Sequence, residues 1–185
     1  MEALTAIHMR QSTGKVKPEA VPRELIEKLL AAAVQAPNHY KVRPWRFVVL
    51  SGAARERLGE VMAQSLLKAK PDSRPEALDA ERKKPLRAPV LIAVGVDQPG
   101  EPKVKEIENI CAAAAAIENL LIAAQALGLG TFWRTGPAAE HPAVKQFLGL
   151  APDQHIISFV YLGYPLNDPL PVERPSAADR TLWME

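Results

Sequence analysis

Residues 103–127, KVKEIENICAAAAAIENLLIAAQAL, restrict the fold more than any other segment, because they read as one helix with five consecutive alanines, Ala112 to Ala116, in its middle. Small side chains let neighbouring backbone approach closely, so such a helix belongs at the centre of a packed structure or at an interface. Ile107, Ile110, Ala114, Ile117, Leu121 and Ala124 recur at helical spacing and are expected to form its apolar face. Glu118, Asn119 and Gln125 interrupt the weakly polar run from Ile110 to Leu129, leaving it short of the ~18 apolar residues of a spanning helix. No membrane role is expected. Gly128 and Gly130 end the helix.

The remaining chain reads as elements packed around this helix. Ala3 to Met9 is a short helix ending at Arg10-Gln11-Ser12, and Gly14 and Pro18 then enforce a loop. Pro22 suits a first turn, and Leu25, Ile26, Leu29, Leu30, Ala33 and Val34 carry a second helix to Pro37 and Asn38. WRFVVL from Trp45 and PVLIAVGV from Pro89 are predicted buried strands. Between them, 53–70 and 75–84 read as amphipathic, solvent-facing scaffold helices. Thr131 to Arg134 is a brief strand, His141 to Leu148 a helix, and His155 to Tyr164 the last strand. Helices and strands do not alternate regularly, which predicts an α+β fold in one domain spanning 1–185. The proline-rich tail, 165–185, has few core residues and is expected to run extended over a partner subunit.

Composition narrows the function. Lys plus Arg number 23 against 21 Asp plus Glu, spread along the chain, so no basic stripe for nucleic acid is formed. The single cysteine, Cys111, excludes an internal disulfide; it fits a reducing compartment, the cytoplasm, and an inert thiol buried in the alanine-rich helix. The N-terminus lacks the apolar core of a signal peptide. The four histidines, at 8, 39, 141 and 155, have no metal-ligand spacing, and no carboxylate–histidine pair is expected among them, so zinc hydrolysis lacks support and no metal site is predicted. Nucleophile elbows and phosphate loops are absent, and no catalytic side chain is assigned.

Three clusters carry chemistry. Arg10, Gln11 and Ser12 offer a guanidinium, an amide and a hydroxyl at a helix end, suited to a phosphate and a polyhydroxyl chain, although a polar helix C-terminus reads the same way. The loop 36–45, APNHYKVRPW, concentrates donors between a helix stop and a strand, with Trp45 as a core anchor. Residues 128–136, GLGTFWRTG, flank an aromatic strand with glycines that open backbone N–H groups to a flat ligand; the Gly-x-Gly follows a helix, so it is not a dinucleotide fingerprint.

Taken in order, Arg10-Gln11-Ser12, then Ala36-Pro37-Asn38-His39 with Pro44-Trp45-Arg46-Phe47, then Gly130 to Gly136 resemble the nitroreductase family of flavoproteins, and the likeness runs to Tyr161-Leu162-Gly163-Tyr164-Pro165. The resemblance implies an α+β fold with a central, mostly antiparallel sheet flanked by helices, and an interlocked homodimer with FMN between subunits. It implies that Arg10, Gln11 and Ser12 meet the FMN phosphate and ribityl chain, that Gln35 and His39 reach the cofactor from the partner subunit, and that Trp133, Arg134 and Thr135 contact the flavin. Ala123, Ala124, Gln125, Ala126, Leu127 and Gly128 match a stretch assigned to NAD(P) in similar proteins. The implied reaction takes hydride from NADH or NADPH through flavin N5 to an electron-poor acceptor, a nitroaromatic or quinone, by a ping-pong route. A dehydrogenase for one metabolite, or a flavin-binding protein without turnover, are the alternatives. Two departures stand out: Gln11 occupies a place where arginine is common, with Arg43 able to compensate, and Gly14 stands where a basic residue often lies near the flavin pyrimidine. Lys15 or Arg134 is the candidate replacement there, and the sequence does not choose between them.

Overall fold

The two long apolar strand segments and the alanine-rich helix assemble into three layers. The structure, a computed structural model, describes residues 1–167 and 172–185. Strands β1 (Trp45–Ser51), β2 (Val90–Val96), β3 (Gly130–Arg134) and β4 (His155–Gly163) form one sheet in the order β1-β2-β4-β3. All three pairings are antiparallel. Helices α1 (Ala3–Met9), α2 (Arg23–Ala33), α3 (Ala53–Ala69), α4 (Pro75–Lys83), α5 (Glu106–Ala126) and α6 (Pro142–Phe147) flank it. The α+β expectation holds, and the β2 run is unbroken because both of its faces are covered. Val90, Ile92 and Val94 pack toward α2 and α5, while Leu91 and Ala93 pack toward α3 and α6. Truncating Ile92, which is fully buried, to alanine costs about 2–5 kcal/mol.

Helix α5 differs from its predicted outline. It starts at Glu106, not Lys103, with Lys105 as its N-cap. Its buried residues are Asn109, Ala112, Ala113, Ala116, Ile117, Leu120, Leu121 and Ala124. Of the predicted face, Ile117, Leu121 and Ala124 are buried, Ile110 and Ala114 are half-buried, and Ile107 is 59% exposed. The alanines let α2 and the sheet approach closely, which rotates the buried face toward them and turns Ile107 outward. Cys111 lies on the outward face and is exposed, which corrects the expected buried thiol. Among the described residues α5 is the one helix long and apolar enough to cross a membrane, yet its small residues are packed against β2 and α2 as a core helix.

The predicted solvent-facing insert also needs correction. Helix α3 buries Leu58, Met62 and Ala63 under the second sheet face, so it is one of the layers. Only α4, with no buried residue, is outer scaffold.

Two local devices position the sheet edge. Helix α5 ends in a reciprocal pair of bonds, Leu129 N–H to the Ala124 carbonyl (2.8 Å) and Gly128 N–H to Gln125 (3.2 Å), closed by Gly128 at φ +74°. The chain then turns directly into β3. Along that edge strand runs the segment after α1: Ser12 bridges Thr131 in parallel, and the Thr13 N–H donates to the Thr131 carbonyl at 2.7 Å. Farther on, Val16 bridges Pro165, the Lys17 N–H donates to Tyr164 (2.8 Å), and the Leu166 N–H donates to Lys15 (3.1 Å). Gly130 permits this approach, since a Cβ there would meet the Thr13 side chain at 2.7–3.0 Å. Of the tail, residues 168–171 lie outside the described residues. Arg174 returns to donate to the Arg10 carbonyl (3.0 Å), and Leu182, Trp183 and Met184 are exposed.

Candidate functional site

The Ser12–Thr131 bridge joins two clusters that are about 120 residues apart in sequence. It aligns the Arg10-Gln11-Ser12 run with β3 and its continuation through Trp133, Arg134 and Thr135. Because the Thr131 carbonyl faces Thr13, the two-residue repeat of the strand turns the Trp133 backbone toward the same open edge, while Phe132 and Arg134 turn theirs toward β4. An outward N–H on an edge strand beside a short polar segment is a donor for a ligand lying along that edge.

The side chains divide between the two sheet faces. Trp133 packs on the α2/α5 core. Phe132 packs on the α3/α6 core, and the exposed Arg134 guanidinium lies 4.6 Å above its ring centroid. On that face Thr13, Gly14, Arg87, Phe132, Arg134 and Tyr161 line a cavity of about 220 Å³. A second cavity of about 130 Å³, which shares Arg87, Arg134 and Tyr161, continues it past Thr135 and Gly136 to Pro137. Burial pushes the Tyr161 phenol above its ordinary value, against the opposing pull of Arg87 and Arg134.

Arg10 is ion-paired to Glu118 on α5 at 3.2 Å, with Arg174 bonded to its carbonyl. Ser12 is exposed and Gln11 half-exposed. Arg174 gave no signal in the sequence, since it lies in a proline-rich tail with no periodicity to read; only the folded chain brings it to Arg10.

Gln35 and His39 lie elsewhere. Gln35 is exposed and donates to the Ala31 carbonyl of its own helix at 3.3 Å. The His39 Nδ1 donates to Glu108 at 2.8 Å, and the same carboxylate oxygen accepts the Lys105 N–H at 2.9 Å, capping α5. The Lys105 amide first, and His39 second, hold the Glu108 carboxyl below its ordinary range. Glu108 and Glu118 are ten residues apart on α5, so His39 and Arg10 meet that helix about 15 Å apart along its axis. Within one chain the His39 and Arg10 clusters are therefore not a single site.

A second histidine, His155, is paired with Glu106. The reading that no histidine has a carboxylate neighbour is thus corrected for His39 and His155, whose partners come from α5, 69 and 49 residues away. No group of three metal-ligating side chains occurs among the described residues. The stretch 123–128 is the last turn of α5 and its glycine stop: Ala124 is buried, Ala123, Gln125 and Ala126 are half-buried, and Leu127 and Gly128 are exposed.

An antiparallel sheet between helical layers, with a polar segment laid along one edge strand and the Arg87 and Arg134 guanidinium groups lining the cavity there, defines an α+β protein with hydrogen-bond donors gathered at one sheet edge. The Nitroreductase family model matches residues 7–164. YdjA of Escherichia coli (strain K12), provisionally designated an NAD(P)H nitroreductase, is 34% identical over 165 residues, 89% of each chain. The crystal structure of a nitroreductase-like family protein from Bacillus cereus superposes with a TM-score of 0.86 at 24% identity, covering 100% of this chain and 97% of the other. A Desulfovibrio desulfuricans structure, assigned provisionally as a nitroreductase and solved with FMN, gives a TM-score of 0.74 at 27% identity over 100% and 98%. This chain belongs to the nitroreductase family and has the nitroreductase-like fold.

Proposed function

We propose that the protein is an FMN-dependent oxidoreductase that takes electrons from NADH or NADPH and delivers them to an electron-poor acceptor, a nitroaromatic or a quinone, in a ping-pong cycle. The observation that carries the reading is the Ser12–Thr131 bridge, which brings the two flavin-type motifs of one chain onto one edge. The donor set suits FMN: two guanidinium groups and a hydroxyl at Arg10, Arg174 and Ser12, open space beside Gly14, and an outward backbone at Trp133. When bound, FMN supplies the hydride relay, accepting at N5 from the nicotinamide and passing reducing equivalents to the acceptor.

The side chains bind and orient. Arg10, Gln11, Ser12 and Arg174 hold the phosphate and ribityl chain; for this Arg10 exchanges Glu118 for the phosphate or shares itself between them. Trp133, Arg134 and Thr135 hold the ring by backbone donation and by the Arg134 charge. Residues 123–128 contribute to the nicotinamide nucleotide site. No side-chain acid or base is required.

The working form is a homodimer in which Gln35 and His39 complete the FMN site of the partner subunit, which explains their separation from Arg10 within one chain. In support, Leu4, Ile7, Met9, Ile107, Leu182, Trp183 and Met184 are large apolar side chains left exposed in one chain, more than an isolated surface ordinarily carries in so few segments. The chain is one nitroreductase-like unit over 1–185, with 165–185 packing on the partner, and it works in the cytoplasm on small molecules rather than on nucleic acid or membrane.

The test is an anaerobic absorbance spectrum of the purified protein, recorded before and after adding NADH and then NADPH. Bound-flavin bands that bleach with either nucleotide support the reading and rank the donors. A protein that takes up no FMN overturns it, and bound FMN that neither nucleotide reduces leaves a flavin-binding protein without turnover.

A further inference from the structure

Arg87 belongs to none of the motifs above. It sits at the end of the short 3-10 turn Lys84–Arg87, just before β2, and the fold carries it across to the edge-strand cavity. There it meets Arg134 from β3 and Tyr161 from β4. Neither guanidinium has a carboxylate partner among the described residues, whereas Arg46 pairs with Asp97 and Arg82 with Glu60. The Tyr161 residue is 8% exposed, its hydroxyl has no hydrogen-bond partner among the described residues, and it lines both cavities. Three donors without a hydrogen-bonded or ion-paired partner among the described residues, two of them charged, therefore converge on one cavity, and the carboxylate that acts on Tyr161, Glu81, is itself paired with Lys84. That is the arrangement of an anion subsite.

The position of the subsite limits what the anion can be. Arg10 and Thr13–Gly14 lie on the same extended segment, and four such residues span roughly 13 Å. A ligand whose phosphate is held at Arg10 and Arg174 thus presents its other end to the Arg87 cavity. Gly14 borders the cavity with an ordinary φ and nothing within 4 Å of where a Cβ would stand, so the room that a side chain at 14 would fill is open and faces Arg87.

We propose that Arg87, with Arg134 and Tyr161, forms a subsite for the negative charge that the flavin ring acquires on reduction, so that Arg87 supplies from the β2 side the cation that position 14 lacks. The inference rests on the FMN reading and deepens it. A cation that meets charge present only in the reduced ring stabilises that state more than the oxidised one and raises the flavin potential.

The experiment measures the midpoint potential of bound flavin, and the affinity for oxidised FMN, in the wild-type protein and three variants. Arg87→Ala is expected to weaken binding of reduced FMN about tenfold more than binding of oxidised FMN, which lowers the two-electron potential by about 30 mV. Arg87→Lys keeps most of the wild-type potential, and Gly14→Lys in the Arg87→Ala background restores part of it. An unchanged potential in Arg87→Ala overturns the proposal. Equal loss of affinity for both oxidation states also overturns it, because Arg87 would then be serving the phosphate. Failure of the wild-type protein to bind FMN is a separate result, which removes the functional reading and this inference with it.

Discussion

Replacing Gly130 with alanine tests whether the contact between the 12–17 segment and β3 builds the site. A Cβ at 130 would stand 2.7 Å from Thr13 Cγ2, 2.9 Å from its Cβ and 3.0 Å from its Oγ1. All three atoms lie at or next to the Cβ branch of a stiff side chain, so no flexible tip can swing away; Thr13 must move outward by several tenths of an ångström. That movement strains the 2.7 Å bond from the Thr13 N–H to the Thr131 carbonyl. Overpacking of this kind costs typically about 1–3 kcal/mol. For a chain of this size that lowers Tm by roughly 2–10 °C. The assay pairs thermal or urea unfolding with FMN titration. Gly130→Ala should lower both stability and FMN affinity, and Thr13→Gly added to it should recover much of the stability, because all three contacting atoms are gone. A Gly130→Ala protein with wild-type stability and FMN affinity would refute the reasoning. So would a double variant no more stable than the single one, since the cost would then lie elsewhere than at Thr13.

Three further outcomes follow from the same structure. Gly59→Ala puts a Cβ 2.2 Å from the backbone carbonyl oxygen of Arg82, which cannot yield as a side chain would, so it should separate α3 from α4 and lower the urea midpoint at about 1–3 kcal/mol or more while leaving FMN affinity unchanged. Arg174→Ala should weaken FMN binding without a comparable loss of stability, as isothermal titration would report, because the exposed Arg174 bonds the Arg10 carbonyl from the tail; unchanged affinity would remove it from the phosphate site. Stability should fall with acidification through and below the carboxylate range, because Glu60, Glu106 and Glu108 are held below the ordinary glutamate value, chiefly by Arg82, His155 and the Lys105 amide respectively. A lowered folded value means the stabilisation is present above the unfolded pKa and is lost as pH falls through the folded one; unfolding midpoints from pH 6 to pH 3 should show it, with a shallower slope in Glu108→Gln.

Most of the fold was legible because its elements are written in local patterns. The helix period of 23–33, the unbroken apolar run at Val90 and the glycine stop after α5 depend on neighbours within a few residues, and each lies where the chain's own spacing put it. The donor groups of Arg10-Gln11-Ser12 and of the glycine-flanked aromatic strand could be read as sets because each is contiguous, whereas their meeting at one sheet edge could not.

What the sequence could not determine is which distant segments share a surface. The exposed face of α5 depends on how closely α2 and β2 pack on its alanines, a choice that periodicity leaves open when every side of a helix is small or apolar. The partners of His39 and His155 come from α5, and those of Arg10 from α5 and the tail; no local spacing encodes pairings that separate in sequence by 49 to 164 residues. Arg87 and Tyr161 read as ordinary flanking and strand residues until the sheet order β1-β2-β4-β3 sets the end of the turn before β2 beside β4 and β3. Local side-chain chemistry fixes elements and donors within a few bonds of the backbone. The convergence of unpaired cations on one cavity exists only after the sheet has paired and the helical layers have closed on it.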